Sequence, residues 1–407
     1  MTNRFLSKFS IPPPLRAATH ALGATQLIGW GTTMYAPAIL AAPIVADTDW
    51  ARTDVFAAFS ASLLIGALIA RPIGRLIDRQ GGRVALTAGS GLTALGLAMA
   101  AIAPSLAFYY AAWAVLGIAM RLMLYEAAFA TLAAAGGNDA RRSISIITLY
   151  GGLASTVFWP IGWELIGLFG WRATLVVFAA LHLFVCLPLH VFLMPKSSSA
   201  AAAEAIPAET GDDPEGVLAG RERTIALVTL TVAFVLLMYV NSALAAHVID
   251  ILTAFGLASE NAVAIASLRG VGQVAGRVWE IGFGGALHPL AIATLAIGLT
   301  PLAMVVLMLP LGIAGAILFA FGQGVSNGLL TIARGVAPLV LFGARGYGAT
   351  IGVMTGPILL AIALAPALYA AIVELYGHKI AMFSNIAAAL VGMALVALLF
   401  WRVRRRR

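Results

Sequence analysis

The sequence predicts an all-α membrane protein with twelve transmembrane helices, arranged as two pseudo-symmetric six-helix bundles. Of its 407 residues, 61% are hydrophobic and only 10% are charged, and the mean hydropathy is +0.97. Apolar stretches close to the roughly 20 residues that a helix needs to cross a bilayer recur along the chain. The two halves also resemble each other weakly at a constant offset. This composition excludes a water-soluble domain, in which about a quarter of the residues are charged.

The first six predicted helices lie between a basic N-terminus and a polar stretch in the middle of the chain. Their apolar runs are unbroken, unlike the alternating strands of about ten residues in a membrane β-barrel. Because no small-residue cleavage site accompanies the first run, the first helix is predicted to remain uncleaved. Pro37 and Pro160 lie inside helices and predict kinks, which neighbouring helices tolerate. The predicted bounds are 17–45, 54–77, 84–103, 106–135, 143–168 and 172–194.

The second set of six helices begins after a polar segment at 195–223. This segment contains serines, alanines and six acids, cannot bury apolar surface, and is predicted to be a flexible linker. The domain prediction is a bundle at 1–194, a cytoplasmic linker at 195–223, and a bundle with a basic cytoplasmic tail at 224–407. The helices beyond the linker are predicted at 224–254, 259–283, 288–309, 312–341, 347–374 and 378–401, with kinks at Pro301, Pro357 and Pro366.

The distribution of basic residues predicts the orientation of the helices. With the N-terminus in the cytoplasm, nineteen lysines and arginines fall on the inner side, and the outer loops keep only Arg52, Arg172 and Lys379. By the positive-inside rule, both termini are cytoplasmic in a multi-pass protein of the cytoplasmic (inner) membrane. The net charge of +8 therefore reflects membrane topology and not binding of nucleic acid. The C-terminal arginines are expected at an anionic lipid surface.

An internal repeat supports the division into two halves. With an offset of 206 residues, Leu64-Ile65-Gly66 aligns with Gly270-Val271-Gly272, and Ala70-Arg71 aligns with Gly276-Arg277. With an offset of 207 residues, Phe169-Gly170-Trp171-Arg172 aligns with Tyr376-Gly377-His378-Lys379. Duplicated halves of this kind place a substrate site between them.

The turn between the second and third predicted helices carries the most specific motif. It reads Gly74-Arg75-Leu76-Ile77-Asp78-Arg79-Gln80-Gly81-Gly82-Arg83 and resembles the loop signature of the major facilitator superfamily. The resemblance implies a two-bundle transporter in which this loop controls the conformational state. Asp78 can pair with nearby arginines and cap a neighbouring helix N-terminus in one state only. A turn that merely fixes topology is the alternative. The gating residues implied are Gly74, Asp78, Arg79, Gly81 and Arg83.

The first two predicted helices resemble the monocarboxylate and oxalate/formate branch of that superfamily. The similar residues are Gly29-Trp30-Gly31 through Tyr35, and Asp49-Trp50-Ala51-Arg52-Thr53-Asp54. Arg269 strengthens the resemblance, because that branch binds its carboxylate with an arginine of the eighth helix. The acid that the branch often has one turn earlier is replaced by Ile265, and its basic residue in the first helix is missing. The proton coupling of the branch therefore does not transfer directly.

Three arginines, Arg121, Arg269 and Arg334, lie inside apolar helices. Each is a functional candidate, because a charge at membrane depth costs several kcal/mol unless it is paired or faces water. Arg121 and Arg269 lie about 15 and 10 residues into their helices, near mid-membrane, and are predicted to form an anion-binding centre. Tyr125 is predicted on the same helix face as Arg121, whereas Glu126 points roughly 140° away. A fixed salt bridge is the structural alternative.

Other polar side chains in apolar surroundings are candidates for lining a substrate cavity. The predicted substrate-binding set is completed by Gln26, Tyr35, Asn241 and Asn327. Three further polar residues also lie in apolar surroundings: His247, Asp250 and Gln323. Each is equally consistent with a hydrogen bond between helices. The single cysteine and the scattered histidines predict no disulfide, metal centre, cofactor or catalytic cluster. The protein is therefore not expected to be an enzyme.

Glu126 and Arg334 are predicted to form an inner gate. They lie about 20 and 22 residues inside the fourth and tenth helices, at similar depth, and these helices are counterparts in the two halves. Glu126 is also the candidate proton carrier, because a carboxylate without its arginine partner in a partly dehydrated site takes up a proton more readily. A permanent ion pair within one half, or a bond from Glu126 to Tyr or Trp, is the alternative.

Together these features predict a secondary active transporter that moves a small organic anion, such as a carboxylate, by alternating access. A proton gradient or the gradient of the solute itself would drive it, and symport with protons is the expected coupling. The expected partners are the lipid bilayer, the anionic substrate and protons, and the protein is expected to function as a monomer. A proton-driven exporter of a drug or metabolite is the second hypothesis. A non-transporting membrane receptor or assembly factor is the third, and the linker of about 29 residues offers it no large extramembrane domain. The substrate, the direction and the coupling ion stay open.

Overall fold

The computed structural model describes residues 11, 13–137, 140–195, 218, 220–284 and 287–405, which are almost entirely helical and contain no β-strand. The all-α prediction is confirmed. Two five-residue π-helical segments, Trp30–Met34 and His182–Cys186, interrupt the α-helices. The helices are α1 (Pro13–Gly29), α2 (Ala36–Thr48), α3 (Arg52–Gln80), α4 (Gly82–Ala101), α5 (Leu106–Met123), α6 (Tyr125–Gly136), α7 (Ala140–Gly152), α8 (Ala154–Leu181), α9 (Leu187–Leu193), α10 (Gly220–Ala246), α11 (Val248–Ala254), α12 (Ser259–Phe283), α13 (Pro289–Met308), α14 (Gly312–Phe342) and α15 (Tyr347–Arg404).

Nine stretches of the described chain are long and apolar enough to cross a membrane. Two of them include Gly170 in α8 and Gly377 in α15, whose φ angles are +79° and +80°. Glycine adopts such angles without steric penalty, so the chain turns at each of these glycines, and α8 and α15 each consist of two helical parts. The charged helix α12 is not among the nine. A multi-pass membrane protein is thus confirmed, while the count of twelve crossings stays a prediction.

Several predicted helices are interrupted where they were expected to continue. The first passes through a π segment, and Pro37 lies in the first turn of α2, where no helical hydrogen bond is lost, so its predicted internal kink is wrong. The fourth breaks at Leu124, which is extended with φ −76° and ψ −165°. The seventh breaks at His247, with φ −112° and ψ 16°. Neither break has a neighbouring glycine or proline, so the breaker pattern gave no sign of it.

The described chain divides into two compact units. The first unit contains the described residues of 11–195 together with Gly343–Leu359, and the second contains those of 218–342 and 360–405. The helix α15 therefore begins in the first unit and continues in the second, with Pro357 and Pro366 on either side of the division. The predicted linker lies largely outside the described residues. The domain boundaries at 194 and 224 remain predictions.

Small residues bring the helices of the first unit close together. Gly117 of α5 lies against the backbone of Ser62 in α3, and Gly89 of α4 lies against Leu122 in α5, so that neither glycine leaves room for a Cβ atom. Close approach through small residues is the usual way in which transmembrane helices pack. Large aromatic side chains, including Trp113, fill a buried cluster in the same unit.

In the second unit, α12 and α14 cross through two pairs of glycines. Gly272 and Gly276 of α12 contact the backbone of α14, and Gly324 of α14 contacts the backbone carbonyl group of Arg269. Gly328 completes the second pair, and both pairs have three residues between the glycines, a spacing that allows close helix crossing. The crossing fixes the backbone of Arg269 against α14.

Candidate functional site

The loop motif places Asp78 at the beginning of another helix. Gly81 ends α3 with a φ of +82°, a conformation that favours glycine. Oδ1 of Asp78 accepts the backbone N–H of Gly348 at 2.8 Å, and Oδ2 accepts that of Ala349 at 2.7 Å. These N–H groups belong to the first turn of α15, where they have no helical acceptor. The expected capping contact of Asp78 is therefore present.

Close backbone contacts accompany this cap. Gly74 lies against the carbonyl oxygen of Gly348, and Gly352 lies against the backbone of α3, so a side chain at any of these positions would collide with backbone atoms. Arg79 is exposed and Arg83 is half-buried. The role of the whole motif in gating stays a prediction.

A buried ion pair joins Arg121 to Glu126 within the first unit. Nη1 of Arg121 lies 3.1 Å from Oε2 of Glu126, and the two side chains are only 5% and 14% exposed. The predicted direction of Glu126, roughly 140° away from Arg121, is therefore wrong. That prediction assumed one continuous helix, whereas the extended Leu124 separates α5 from α6 and lets Glu126 turn back. The geometry matches the alternative of an ion pair within one half.

The ion pair borders a small pocket in the first unit, where α3 meets the beginning of α15. Gly66 of α3 lies against the aliphatic part of the Arg121 side chain. Two opposite charges thus lie next to the backbone contacts of the loop motif. The lining includes Arg121, Glu126, Gly74, Gly352 and Thr355.

Tyr125 does not continue the helix face of Arg121, because the helix breaks between them. Its hydroxyl donates to the carbonyl oxygen of Thr148 at 3.2 Å, and its ring stacks on Phe129. The predicted shared face is therefore wrong. Tyr125 instead packs at the start of α6, where it is 3% exposed.

Gln26 contacts the end of α5, on the other side of the helix break at Leu124. Its Nε2 donates to the carbonyl oxygen of Met123 at 2.8 Å, and Met123 is the last residue of α5. Carbonyl groups at a helix end lack a helical donor, so the buried Gln26 supplies one. This contact is the hydrogen bond between helices that the sequence left open as an alternative.

Tyr35 belongs to an aromatic group next to the first π segment. Its ring centroid lies 6.1 Å from that of Trp30 and 6.4 Å from that of Trp159, and its backbone carbonyl accepts the indole N–H of Trp159 at 3.1 Å. Trp30 also lies 4.8 Å from Tyr125, centroid to centroid. Two predicted site residues, Tyr35 and Tyr125, are thus joined through Trp30. Short π segments are frequent at functional sites.

In the second unit, the structure brings Arg269 and Asn241 together. Nη2 of Arg269 donates to the side-chain oxygen Oδ1 of Asn241 at 2.7 Å and to its backbone carbonyl at 3.2 Å. Asn241 is only 4% exposed, and its Nδ2 is buried without a hydrogen-bond partner in the described part of the chain. α10 and α12 therefore hold a guanidinium group beside an amide NH₂ group.

The two remaining predicted residues lie on α14. Asn327 is half-buried, and its backbone carbonyl accepts the hydroxyl of Thr331 at 2.8 Å. Nη1 of Arg334 lies 3.6 Å from Sδ of Met238 in α10. Arg334 belongs to the second unit and Glu126 to the first, so the gate between them stays a prediction.

Sequence reasoning missed a buried polar seam in the first unit. His182 hydrogen-bonds with Thr32 at 2.8 Å, and His190 does so with Thr25 at 2.9 Å and Ser90 at 2.8 Å. Both histidines are fully buried. The threonines are seven residues apart and the histidines eight, about two helical turns in each case, and this matched spacing was the available signal. Across the described residues, no three His, Cys, Asp or Glu side chains form a possible metal site.

Long apolar helices, two helical units and buried guanidinium groups define a multi-pass helical membrane protein with charged groups inside its bundles. A family model described as Major Facilitator Superfamily matches residues 21–332. The chain belongs to the Major Facilitator Superfamily, a family of membrane transporters. The narrower resemblance to the monocarboxylate branch remains a prediction.

Many solved structures share the fold, among them those of two transporters. The crystal structure of the human organic anion transporter MFSD10 (TETRAN) matches with a TM-score of 0.71 and 16% identity, covering 95% of this chain and 100% of that chain. The crystal structure of a variant of the E. coli fucose:proton symporter FucP matches with a TM-score of 0.66 and 15% identity, covering 97% and 98%. At such identities the likeness shows the fold alone. No curated protein sequence gives a significant match.

Proposed function

We propose that the protein is a secondary active transporter that moves a small organic anion, such as a carboxylate, across the cytoplasmic membrane by alternating access. The observation that carries this proposal is the guanidinium group of Arg269, held by Asn241 within a helix of a superfamily member. Guanidinium groups bind carboxylates through two parallel hydrogen bonds. In this proposal twelve helices cross the membrane, both termini are cytoplasmic, and the protein acts as a monomer.

The pair of Arg121 and Glu126 supports proton symport. Removing one charge of a buried ion pair leaves the other charge uncompensated, which is strongly unfavourable. Protonation of Glu126 therefore releases Arg121 to bind the anionic group of the substrate, and the anion restores the charge balance. Proton and substrate would then cross together, with Arg121 and Arg269 as the two arginines of the anion-binding centre.

The other predicted residues take supporting roles in this proposal. Gln26 and Tyr125 hold the two sides of the helix break between Arg121 and Glu126. Tyr35 and Asn327 contact the substrate in this proposal. The loop motif around Asp78 favours one conformational state by capping α15, and a salt bridge from Glu126 to Arg334 closes the inner gate.

Purified protein in liposomes tests the proposal. We expect uptake of radiolabelled formate, acetate, lactate or oxalate to accelerate when an inward proton gradient is imposed, and to slow when a protonophore collapses it. Arg269→Lys should reduce this uptake at least about tenfold, whereas Arg16→Lys, at an exposed position of α1, should not change it. Export of a neutral or cationic compound, with no movement of any carboxylate, would instead favour the drug or metabolite exporter.

A further inference from the structure

We propose that Asn241 and Arg269 form a two-donor subsite that recognises a carboxylate group and rejects the corresponding amide. The inference rests on the proposed function and deepens it, because it names the substrate group that is recognised and the donor atom that binds it. The donor is Nδ2 of Asn241, which works beside the guanidinium of Arg269.

The contact with Arg269 fixes which way the amide of Asn241 faces. Arginine has only donors, so the amide atom at 2.7 Å from its Nη2 must be the oxygen. A second bond from the same Nη2 reaches the backbone carbonyl of Asn241 at 3.2 Å. The amide NH₂ group is therefore directed away from these two bonds and is free to donate elsewhere.

The burial of this NH₂ group points to a ligand. Asn241 is 4% exposed, and Nδ2 has no hydrogen-bond partner among the described residues. Nearly all buried polar groups in native proteins are hydrogen-bonded, and an exception calls for an explanation such as a bound partner. A ligand that satisfies Nδ2 must bring an acceptor atom.

The neighbouring guanidinium sets the charge of that ligand. An acceptor beside a positive group in an apolar helix bundle is best supplied by an anion, because the interaction is stronger at low dielectric. A carboxylate offers acceptors at both oxygens and can face Nδ2 and the guanidinium at once. A primary amide of the same shape turns an NH₂ group toward one of these donors, so it is rejected.

The backbone around the subsite keeps this geometry fixed. Gly324 contacts the carbonyl group of Arg269, and the glycine pairs of α12 and α14 hold the two helices in close contact. Asn241 lies in α10 less than two turns before the break at His247. Three helices thus contribute to the position of two donor groups.

Binding of carboxylates and their amides to the purified protein tests this subsite. The probes are formate, acetate, lactate, benzoate and succinate, each beside its primary amide or diamide, measured by thermal shift and by competition. The variants are Asn241→Asp, which keeps the acceptor for Arg269 but removes the donor, and Asn241→Leu, which removes both. Asn385→Leu is the matched control, because Asn385 is also fully buried and its amide atoms have no partner in the described chain.

We expect at least one carboxylate to bind the unmodified protein and its amide not to compete. Both Asn241 variants should weaken that binding about tenfold or more, as expected for a lost hydrogen bond to a charged group, and Asn385→Leu should not. Unchanged carboxylate affinity in Asn241→Asp would overturn the subsite while leaving the proposed anion transport intact. Binding of no carboxylate to the unmodified protein would overturn both.

Discussion

The two arginines of the proposed anion centre depend on the shape of the guanidinium group as well as on its charge. Lysine keeps the charge of Arg121 or Arg269 but loses the planar fork that forms paired hydrogen bonds. We expect either Arg→Lys substitution to reduce carboxylate uptake at least about tenfold. Initial rates in proteoliposomes measure this effect, with Arg16→Lys as the control. Full transport by both lysine variants would end the hypothesis.

Glu126 has an observed partner, Arg121, and a proposed partner, Arg334. Variants that exchange the two charges of a pair distinguish the roles of these partners. For the gate, Glu126→Arg and Arg334→Glu should each impair transport, and the double variant should recover part of it. For the observed ion pair, Glu126→Arg with Arg121→Glu should recover thermal stability but not transport, because Arg121 is proposed to bind the substrate. If the double variant with Arg334 is no better than the worse single variant, the gate does not exist.

The contacts of individual residues differ in how well the sequence predicts them. The cap formed by Asp78 was predictable, because a local motif fixes the turn that presents its carboxylate. The partner of Glu126 was not predictable, because no glycine or proline lies next to the break at Leu124. The direction of Glu126 was therefore projected as if one helix continued through Leu124. The bond from Asn241 to Arg269 joins two helices, and hydropathy does not define which faces of neighbouring helices meet.

Among the helices, the contact between α3 and α15 is expected to control turnover. Asp78→Asn keeps the size of the side chain but removes the negative charge from the α15 N-terminus, a loss of about 0.3–2 kcal/mol. Because the cap is proposed to favour one conformational state and does not touch the proposed anion subsite, we expect the maximal rate to fall more than the affinity. Transport kinetics and equilibrium binding measure the two separately.

A suitable control is Asp49→Asn, because Asp49 is exposed and has a φ of 56° that asparagine also tolerates. A large loss of affinity in Asp78→Asn, with unchanged turnover, would contradict the proposed role.

The contact between α3 and α15 leaves no space for a larger residue at Gly352. A Cβ atom there would lie 2.5 Å from the carbonyl oxygen of Ala70. We expect Gly352→Ala to force α3 and α15 apart, lowering stability by about 1–3 kcal/mol and reducing transport. Thermal unfolding in detergent measures the loss. Gly167→Ala is the control, because no atom lies within 4 Å of a Cβ atom placed there. If Gly352→Ala has unchanged stability and transport, the contact between α3 and α15 is not tight.

Hydropathy predicted the helices better than their interruptions. The eighth predicted helix, 259–283, matches α12 at both ends, because glycines lie close to its start and directly after its end. The π segments and the break at His247 were not predicted, since they involve small changes in hydrogen bonding within long helical stretches. Such interruptions depend on tertiary partners, including the threonine–histidine contacts of the first unit.

For the whole molecule, the proposed orientation can be tested with inserted cysteines. The single native cysteine, Cys186, is fully buried and should not react, so the unmodified protein is the control. Ser105→Cys lies in a predicted outer loop and should react with a membrane-impermeant maleimide in intact cells. Ser197→Cys lies in the predicted cytoplasmic linker and should react only after permeabilisation. The reverse pattern would invert the topology.

The division of α15 between the two units has a consequence for the order of biosynthesis. The first unit is completed by Gly343–Leu359, which the ribosome makes long after the rest of that unit. At usual elongation rates of about 5–20 residues per second, the delay is roughly 7–30 s. During this interval the carboxylate of Asp78 and the backbone of Gly74 lack their backbone partners in α15. We therefore expect the nascent first unit to remain incomplete in the bilayer until Gly343–Leu359 has been synthesised.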